Sequence, residues 1–285
     1  GQTTLSIGTS AGGDQVDTQV VSGANGTTGE NPVDTGTYYV SESALADYDS
    51  ALVCTVDGQS TAPGANSSVP VQAGKKTVCT FTNTRKQGTI ELKKAWSGTP
   101  GQTTLKIGTS VGGDQVDTQA IDGADGSTGE NTVNTGTYYV SESALADYDD
   151  SLACTVDGQS VTPGTGNSVA VTAGKKTVCT FTNTRKTGKL ELVKKLIGGG
   201  TDRFSLKVNG VAQTVSPGGG TAFGHDDSTG EMTKDTGTYS ITEDAIAPAV
   251  DGDYVQELSC VNGTQPADTD GTITIAKGDD WVCTF

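Results

Sequence analysis

Hydrophobic and polar residues alternate along most of this chain. The stretches GTIELKKAWSG (88–98), TTLKIGTS (103–110), GTYYVSES (136–143), NSVAVTAG (167–174) and KTVCTFTN (176–183) alternate apolar with polar residues and are bounded by Gly, Pro, Asp or Asn. That period of two is the mark of half-buried β-strands. No segment carries the i, i+3, i+4 apolar stripe of a helix. Residues 1–86 and 101–186 align without a gap and agree at roughly four positions in five, while 201–285 follow the same plan more loosely. About seven short strands in about 100 residues fit one antiparallel β-sandwich. The pattern therefore predicts an all-β chain of three tandem antiparallel β-sandwich modules, over residues 1–86, 87–186 and 187–285.

The strand that opens a module, GTIELKK (88–94) or GKLELVKK (188–195), follows the strand that closes the one before it, CTFTNTRK (79–86 and 179–186), after almost no linker. Short connections predict a stiff, rod-like array. Aligned on the second module, the first begins at Gly1, the match of Gly101, and is expected to lack its first strand. The third stops at Phe285, the match of Phe181, and is expected to lack the end of its last strand. Two readings account for this: a window cut from a longer array, or subunits that complete one another by strand donation.

Alternation also assigns faces. On 88–94 the inward set is Ile90, Leu92 and Lys94; on the closing strand it is Cys179, Phe181 and Asn183; on TYYVSE it is Tyr138, Val140 and Glu142. A lysine, an asparagine and a glutamate thus continue apolar faces. Burying an unpaired charge costs several kcal/mol, so such groups either compensate one another or react. Desolvation lowers a lysine pKa and raises that of a glutamate, giving a neutral amine beside a carboxylic acid able to polarise an amide and shuttle protons. The expected product is a Lys–Asn isopeptide bond with loss of ammonia. The alternative is a lysine that snorkels outward and an asparagine that caps the sheet edge by hydrogen bonding.

These residues resemble a known family, the CnaB-type, SpaA-like (prealbumin-like) β-sandwiches of bacterial surface adhesins and pilins. GTIELKK looks like the family's first strand with its reactive lysine, GTYYVSES like its glutamate box and CTFTNT like its closing strand with the asparagine. The resemblance implies a trio of Lys94, Glu142 and Asn183 in the second module, Lys194 and Glu243 in the third, and Glu42 and Asn83 in the first, the glutamates promoting self-cross-linking only. It implies an extracellular protein of the bacterial cell surface, a structural component of a fibre or adhesin stalk.

Composition narrows the function further. Against 18 basic residues stand 34 acidic ones, a net charge of −16, which repels phosphate backbones and anionic lipid, so nucleic acid is not an expected partner. No run of about 18 apolar residues could span a bilayer. Six cysteines fall as Cys54 and Cys79, Cys154 and Cys179, Cys260 and Cys283, one pair per repeat. Without CxxC spacing, three local disulfides formed in an oxidising compartment are a simpler reading than zinc. DGADGSTGE (122–130) and GHDDSTGE (224–231) do not match the EF-hand pattern and read as acidic turns, so neither metal nor cofactor is expected. Asn25, Asn66 and Asn262 begin N-x-S/T triplets, of consequence only in a source that glycosylates asparagine. His225 is the lone histidine, which leaves no repeated Ser–His–Asp device and no expected turnover catalysis. The expected partners are further copies or modules of the same fibre, end to end. The alternative is a ligand-binding adhesin whose surface lies on the third module, where VSPGGGTAFGHDD (215–227) sets that module apart and a host or surface ligand would bind.

Overall fold

The computed structural model describes residues 1–265 and 268–285. Nearly all regular structure is strand, and the strands pair within successive segments of the chain. In the middle segment, one four-stranded sheet runs in the order Asp117–Asp122, Gln102–Gly108, Gly136–Glu142, Ser168–Val171. The facing sheet is built on Gln87–Ser97, Lys176–Arg185, Tyr148–Val156 and Gln159–Val161, with Gly126–Ser127 and Asn131–Asn134 on the outer edge of the first of these. Ile90, Leu92, Leu105, Ile107, Val140 and Phe181 fill the space between them, the inward-facing alternate residues of both sheets. In the last segment Leu190, Leu192, Leu206, Phe223, Ile241 and Ile273 do the same.

Pairing is antiparallel with one recurring exception. The opening strand Gln87–Ser97 runs parallel to the closing strand Lys176–Arg185, Leu92 lying beside Cys179 and Lys94 beside Phe181. Thr187–Val193 is likewise parallel to Asp280–Thr284. Periodicity assigns residues to faces but carries no information on strand direction, so the parallel pair is a finding of the structure. Its consequence is local: first and last strands lie side by side and bring residues 87 apart in sequence into contact.

In the first segment the two sheets are Asp17–Ser22, Gln2–Gly8, Gly36–Glu42, Ser68–Val71 and Gln59–Thr61, Tyr48–Val56, Thr77–Arg85. Thr77–Arg85 is paired on one side only among the described residues. Its sequence is nearly that of Lys176–Arg185, yet Leu5, Ile7, Val40 and Phe81 are half-buried where Leu105, Ile107, Val140 and Phe181 are buried. Similar side chains differ in burial because a neighbouring strand covers one set and not the other.

Disulfides join Cys54 to Cys79, Cys154 to Cys179 and Cys260 to Cys283. Each pair is directly opposed on adjacent antiparallel strands. Closing loops of this length contributes roughly 3–4 kcal/mol by restricting the unfolded chain.

Candidate functional site

Lys94 leaves the opening strand on the face of Ile90 and Leu92 and has no access to solvent, its side chain being 0% exposed. Nζ lies 3.3 Å from Glu142 Oε2, 4.2 Å from the centre of the Trp96 ring, and 3.5 Å from the Phe181 carbonyl oxygen. Loss of water pushes the Lys94 pKa down, and the Glu142 carboxylate, by charge and by hydrogen bonding, only partly opposes this. Glu142 is 7% exposed at its side chain, and its Oε2 completes no well-oriented hydrogen bond.

Asn183 is two residues beyond Phe181 on the strand parallel to the lysine strand, at the level of Trp96. It is 1% exposed, and its Oδ1 has no hydrogen-bond partner. A buried amide oxygen left without a donor is uncommon and needs a reason. Glu142, Phe181 and Asn183 line one small cavity of about 210 Å³, closed on another side by Tyr148 and Asp150. The structure thus gathers Lys94, Glu142 and Asn183 at one end of the sandwich, and the outward-snorkelling geometry does not occur.

The other segments hold parts of the same arrangement. Glu42 Oε1 accepts a hydrogen bond from Asn83 Nδ2 at 2.6 Å, and Ser50 Oγ donates to the other oxygen at 2.8 Å. Lys194 Nζ reaches Glu243 at 2.9 and 2.8 Å and sits 4.0 Å from the centre of the Phe204 ring. Gln256 donates to the same carboxylate at 3.3 Å. One segment thus shows the Asn–Glu contact, another the Lys–Glu contact, and the middle one all three residues.

Sequence reasoning missed the aromatic platform under each lysine. Trp96 follows Lys94 by two residues and so shares its face, a signal present in KKAWSG; Phe204 comes from a different strand and left none. The reading also overlooked Arg85 and Arg185 in the repeated TNTRK. The Arg85 guanidinium lies 5.0 Å over Tyr48 and donates to the Thr135 carbonyl of the next segment. Arg185 lies 5.0 Å over Tyr148 and donates to the Thr236 carbonyl at 2.7 Å.

The acidic turns are used structurally: Asp125 accepts from the Trp96 backbone N–H at 2.9 Å and Asp227 from that of Gly224 at 2.7 Å. In the stretch 215–227, Phe223 is fully buried and bridges Phe204. The histidine there, His225, accepts the Leu196 N–H on Nδ1 at 3.0 Å. No helix among the described residues is long and apolar enough to cross a membrane.

A SpaA-type prealbumin-like fold domain matches the chain over residues 2–81 and again over 86–181. A second domain type of the same description matches residues 189–285. No curated protein matches. Among solved structures, the major pilin protein T-13 of Streptococcus pyogenes is 17% identical over 70% of this chain and 97% of its own, with a TM-score of 0.40. The Bacillus anthracis TIE protein is 14% identical over 100% of this chain and 50% of its own, TM-score 0.34. The pilus adhesin SpaC of Lactobacillus rhamnosus GG is 13% identical over 99% of this chain and 40% of its own, TM-score 0.34. With prealbumin-like matches running in tandem along most of its length, the chain belongs to the SpaA-type prealbumin-like fold family.

Proposed function

We propose that this chain is a rigid segment of an extracellular pilus or adhesin stalk, made of tandem sandwiches over residues 1–86, 87–186 and 187–285, and that the second is closed by a covalent bond between Lys94 and Asn183. The observation that carries this reading is the buried Lys94–Glu142 pair beside an asparagine whose Oδ1 has no donor. In a site with so little water, moving one proton from Nζ to Glu142 replaces two charges by a neutral amine and a neutral carboxylic acid, which low polarity favours. The acid then donates to Asn183 Oδ1 and polarises the amide carbon. Nζ attacks Cγ, a C–N bond forms, and the Cγ–Nδ2 bond breaks. Glu142 relays the amine's second proton to the departing nitrogen, which leaves as ammonia. The glutamate is regenerated and the reaction occurs once, so the chain modifies itself and turns over no substrate.

A stalk must resist being pulled apart, and the position of the bond suits this. First and last strands of the unit are adjacent and parallel, so joining them ties together the two points at which tension would enter and leave. The disulfides join each closing strand to its antiparallel neighbour and leave the opening strand unlinked. Further units, of this chain or of other copies, are the partners such a segment would have.

Intact mass is the test. After reduction of the disulfides the protein should be one ammonia lighter than its sequence requires, and digestion should give a branched peptide joining the segments that hold Lys94 and Asn183. A full sequence mass, with Lys94 and Asn183 in separate peptides, would sink the reading.

A further inference from the structure

The strand end that carries each buried lysine is clamped by an acidic loop. In the second segment the Trp96 N–H donates to Asp125 Oδ1 at 2.9 Å. In the third, the Lys194 N–H donates to the Asp227 carbonyl at 2.9 Å, the Lys194 carbonyl accepts from Asp226 N–H at 2.8 Å, and the Leu196 N–H donates to His225 Nδ1 at 3.0 Å. Trp96 and Leu196 each stand two residues beyond the lysine, so the same main-chain donor is capped by a carboxylate in one segment and by an imidazole in the other. We infer that His225 is a proton-operated latch, closed on Leu196 while its ring is neutral and released when the ring takes up a proton.

A main-chain N–H can only donate, so Nδ1 accepts and carries no proton in this arrangement. Nε2 then holds the ring's single hydrogen, 3.3 Å from Asp226 Oδ2. A second proton turns both ring nitrogens into donors. Nδ1–H and the Leu196 N–H would then face each other, and that bond cannot survive. The charged groups around the ring are balanced. Asp226 is beside it, with Lys195 Nζ 3.8 Å from the other Asp226 oxygen. Asp227 follows, its Oδ2 taken up by the Gly224 N–H at 2.7 Å and by Arg203 at 3.1 Å. Two carboxylates and two cations leave neither sign dominant, so the loss of the acceptor decides the outcome. With its side chain 51% exposed, the ring is open to protons from solvent.

Histidine is the side chain that ordinarily changes charge between about pH 5 and pH 8, whereas carboxylates ordinarily do so near pH 4. The third segment therefore answers to mild acid and the second does not. What the latch holds is the start of a loose connection. Leu196 is 6% exposed, but Ile197 after it is 93% exposed, and Gly198, Gly199 and Gly200 all have positive φ on the way to Arg203–Val208 in the facing sheet. Lys194 keeps its two main-chain bonds and Lys195 its bond to Phe285 at 2.7 Å. Release thus frees the 196–202 connection and leaves the strand itself in place. This device is independent of the cross-link and of the stalk reading.

The test is NMR on the whole ¹⁵N-labelled chain between about pH 7.5 and pH 5, the range in which histidine ordinarily titrates. His225 is the only histidine, so its ring signals report the protonation step without ambiguity. The Leu196 amide signal should move with the same midpoint. Its protection against hydrogen exchange, corrected for the direct effect of pH on exchange, should fall roughly three- to tenfold, the worth of one hydrogen bond. The Trp96 amide should keep both its signal and its protection. His225→Asn places Oδ1 where Nδ1 stands and does not titrate, so in that variant Leu196 should stay protected throughout. The latch is overturned if the ring does not titrate in this range, or if it titrates while Leu196 protection holds. It is equally overturned if Trp96 loses protection in parallel, or if the fall at Leu196 persists in His225→Asn.

Discussion

At Lys94, burial and charge pull against each other. Desolvation lowers its pKa from the ordinary value of 10.5 and the Glu142 carboxylate only partly restores it. An Asn183→Ala variant cannot form the bond and keeps this lysine titratable. Between the lowered value and 10.5 its unfolded chain binds a proton that the folded one does not, so this residue's contribution to stability rises with pH across that window. Lys175 and Lys176, raised by Asp157 and by Glu130 with Glu91 respectively, contribute with the opposite sign, which makes a single variant insufficient. Comparing Asn183→Ala with Asn183→Ala/Lys94→Met in urea cancels them: Asn183→Ala should gain stability relative to the double variant as the pH approaches 10.5. A difference flat in pH would mean that Lys94 is not desolvated.

At the level of the strand, the opening segment of the second unit depends on a residue with no side chain. Gly88 is buried and faces three atoms within 3 Å of where a Cβ would be, two of them backbone carbonyl oxygens. Each accepts a backbone hydrogen bond that a shift would strain, the Thr172 carbonyl from Lys175 N–H at 3.1 Å and the Lys175 carbonyl from Thr89 N–H at 2.9 Å. Gly88→Ala should therefore destabilise the second unit by about 1–3 kcal/mol, the usual cost of overpacking, read as a lower urea midpoint for that unit. An unchanged midpoint would show that the strand is held less closely than its contacts indicate. Much at this scale was legible in the sequence. Alternation placed Ile90, Leu92 and Lys94 on one face and Cys179, Phe181 and Asn183 on another, and all six are buried. It could not reveal that the two strands run parallel, which is what puts Lys94 beside Phe181, nor that Phe204 arrives from a third strand beneath Lys194. Those facts depend on which strands become neighbours, and a period of two is the same for every neighbour. Burial in the first segment depends on the covering strand as well as on a residue's own pattern, so Leu5 and Ile7 are half-buried where Leu105 and Ile107 are buried.

Across the molecule, what matters is how one sandwich is held to the next. Lys86 is the only residue between a closing and an opening strand, and it is bonded both ways: its N–H donates to the Asp47 carbonyl at 2.9 Å and its carbonyl accepts from Thr135 N–H at 2.9 Å. Lys186 repeats this with Asp147 at 2.9 Å and Thr236 at 3.0 Å. Beside it, Arg185 spans the junction from the Tyr148 ring to the Thr236 carbonyl, with Asp147 at 3.7 Å and Asp235 at 3.8 Å. Thr236 Oγ1 donates back to Asp147 at 2.9 Å, and Lys277 meets Asp149 at 2.8 Å. Arg185 itself is largely covered but its carboxylate partners reach solvent, and the Lys277–Asp149 pair is exposed; pairs screened in this way contribute little to the stability of either unit, typically under about 1 kcal/mol. Their effect is on angle, because contacts on several sides of a one-residue linker leave few orientations open. Arg185→Ala removes the stacked and donating group and leaves both cores untouched. It should leave the unfolding midpoints of the second and third units almost unchanged, and it should broaden the distribution of distances between spin labels placed on their far ends. A variant with an unbroadened distribution would show that the one-residue linker fixes the angle alone. A lowered midpoint in either unit would show that the arginine belongs to a core instead of to the joint.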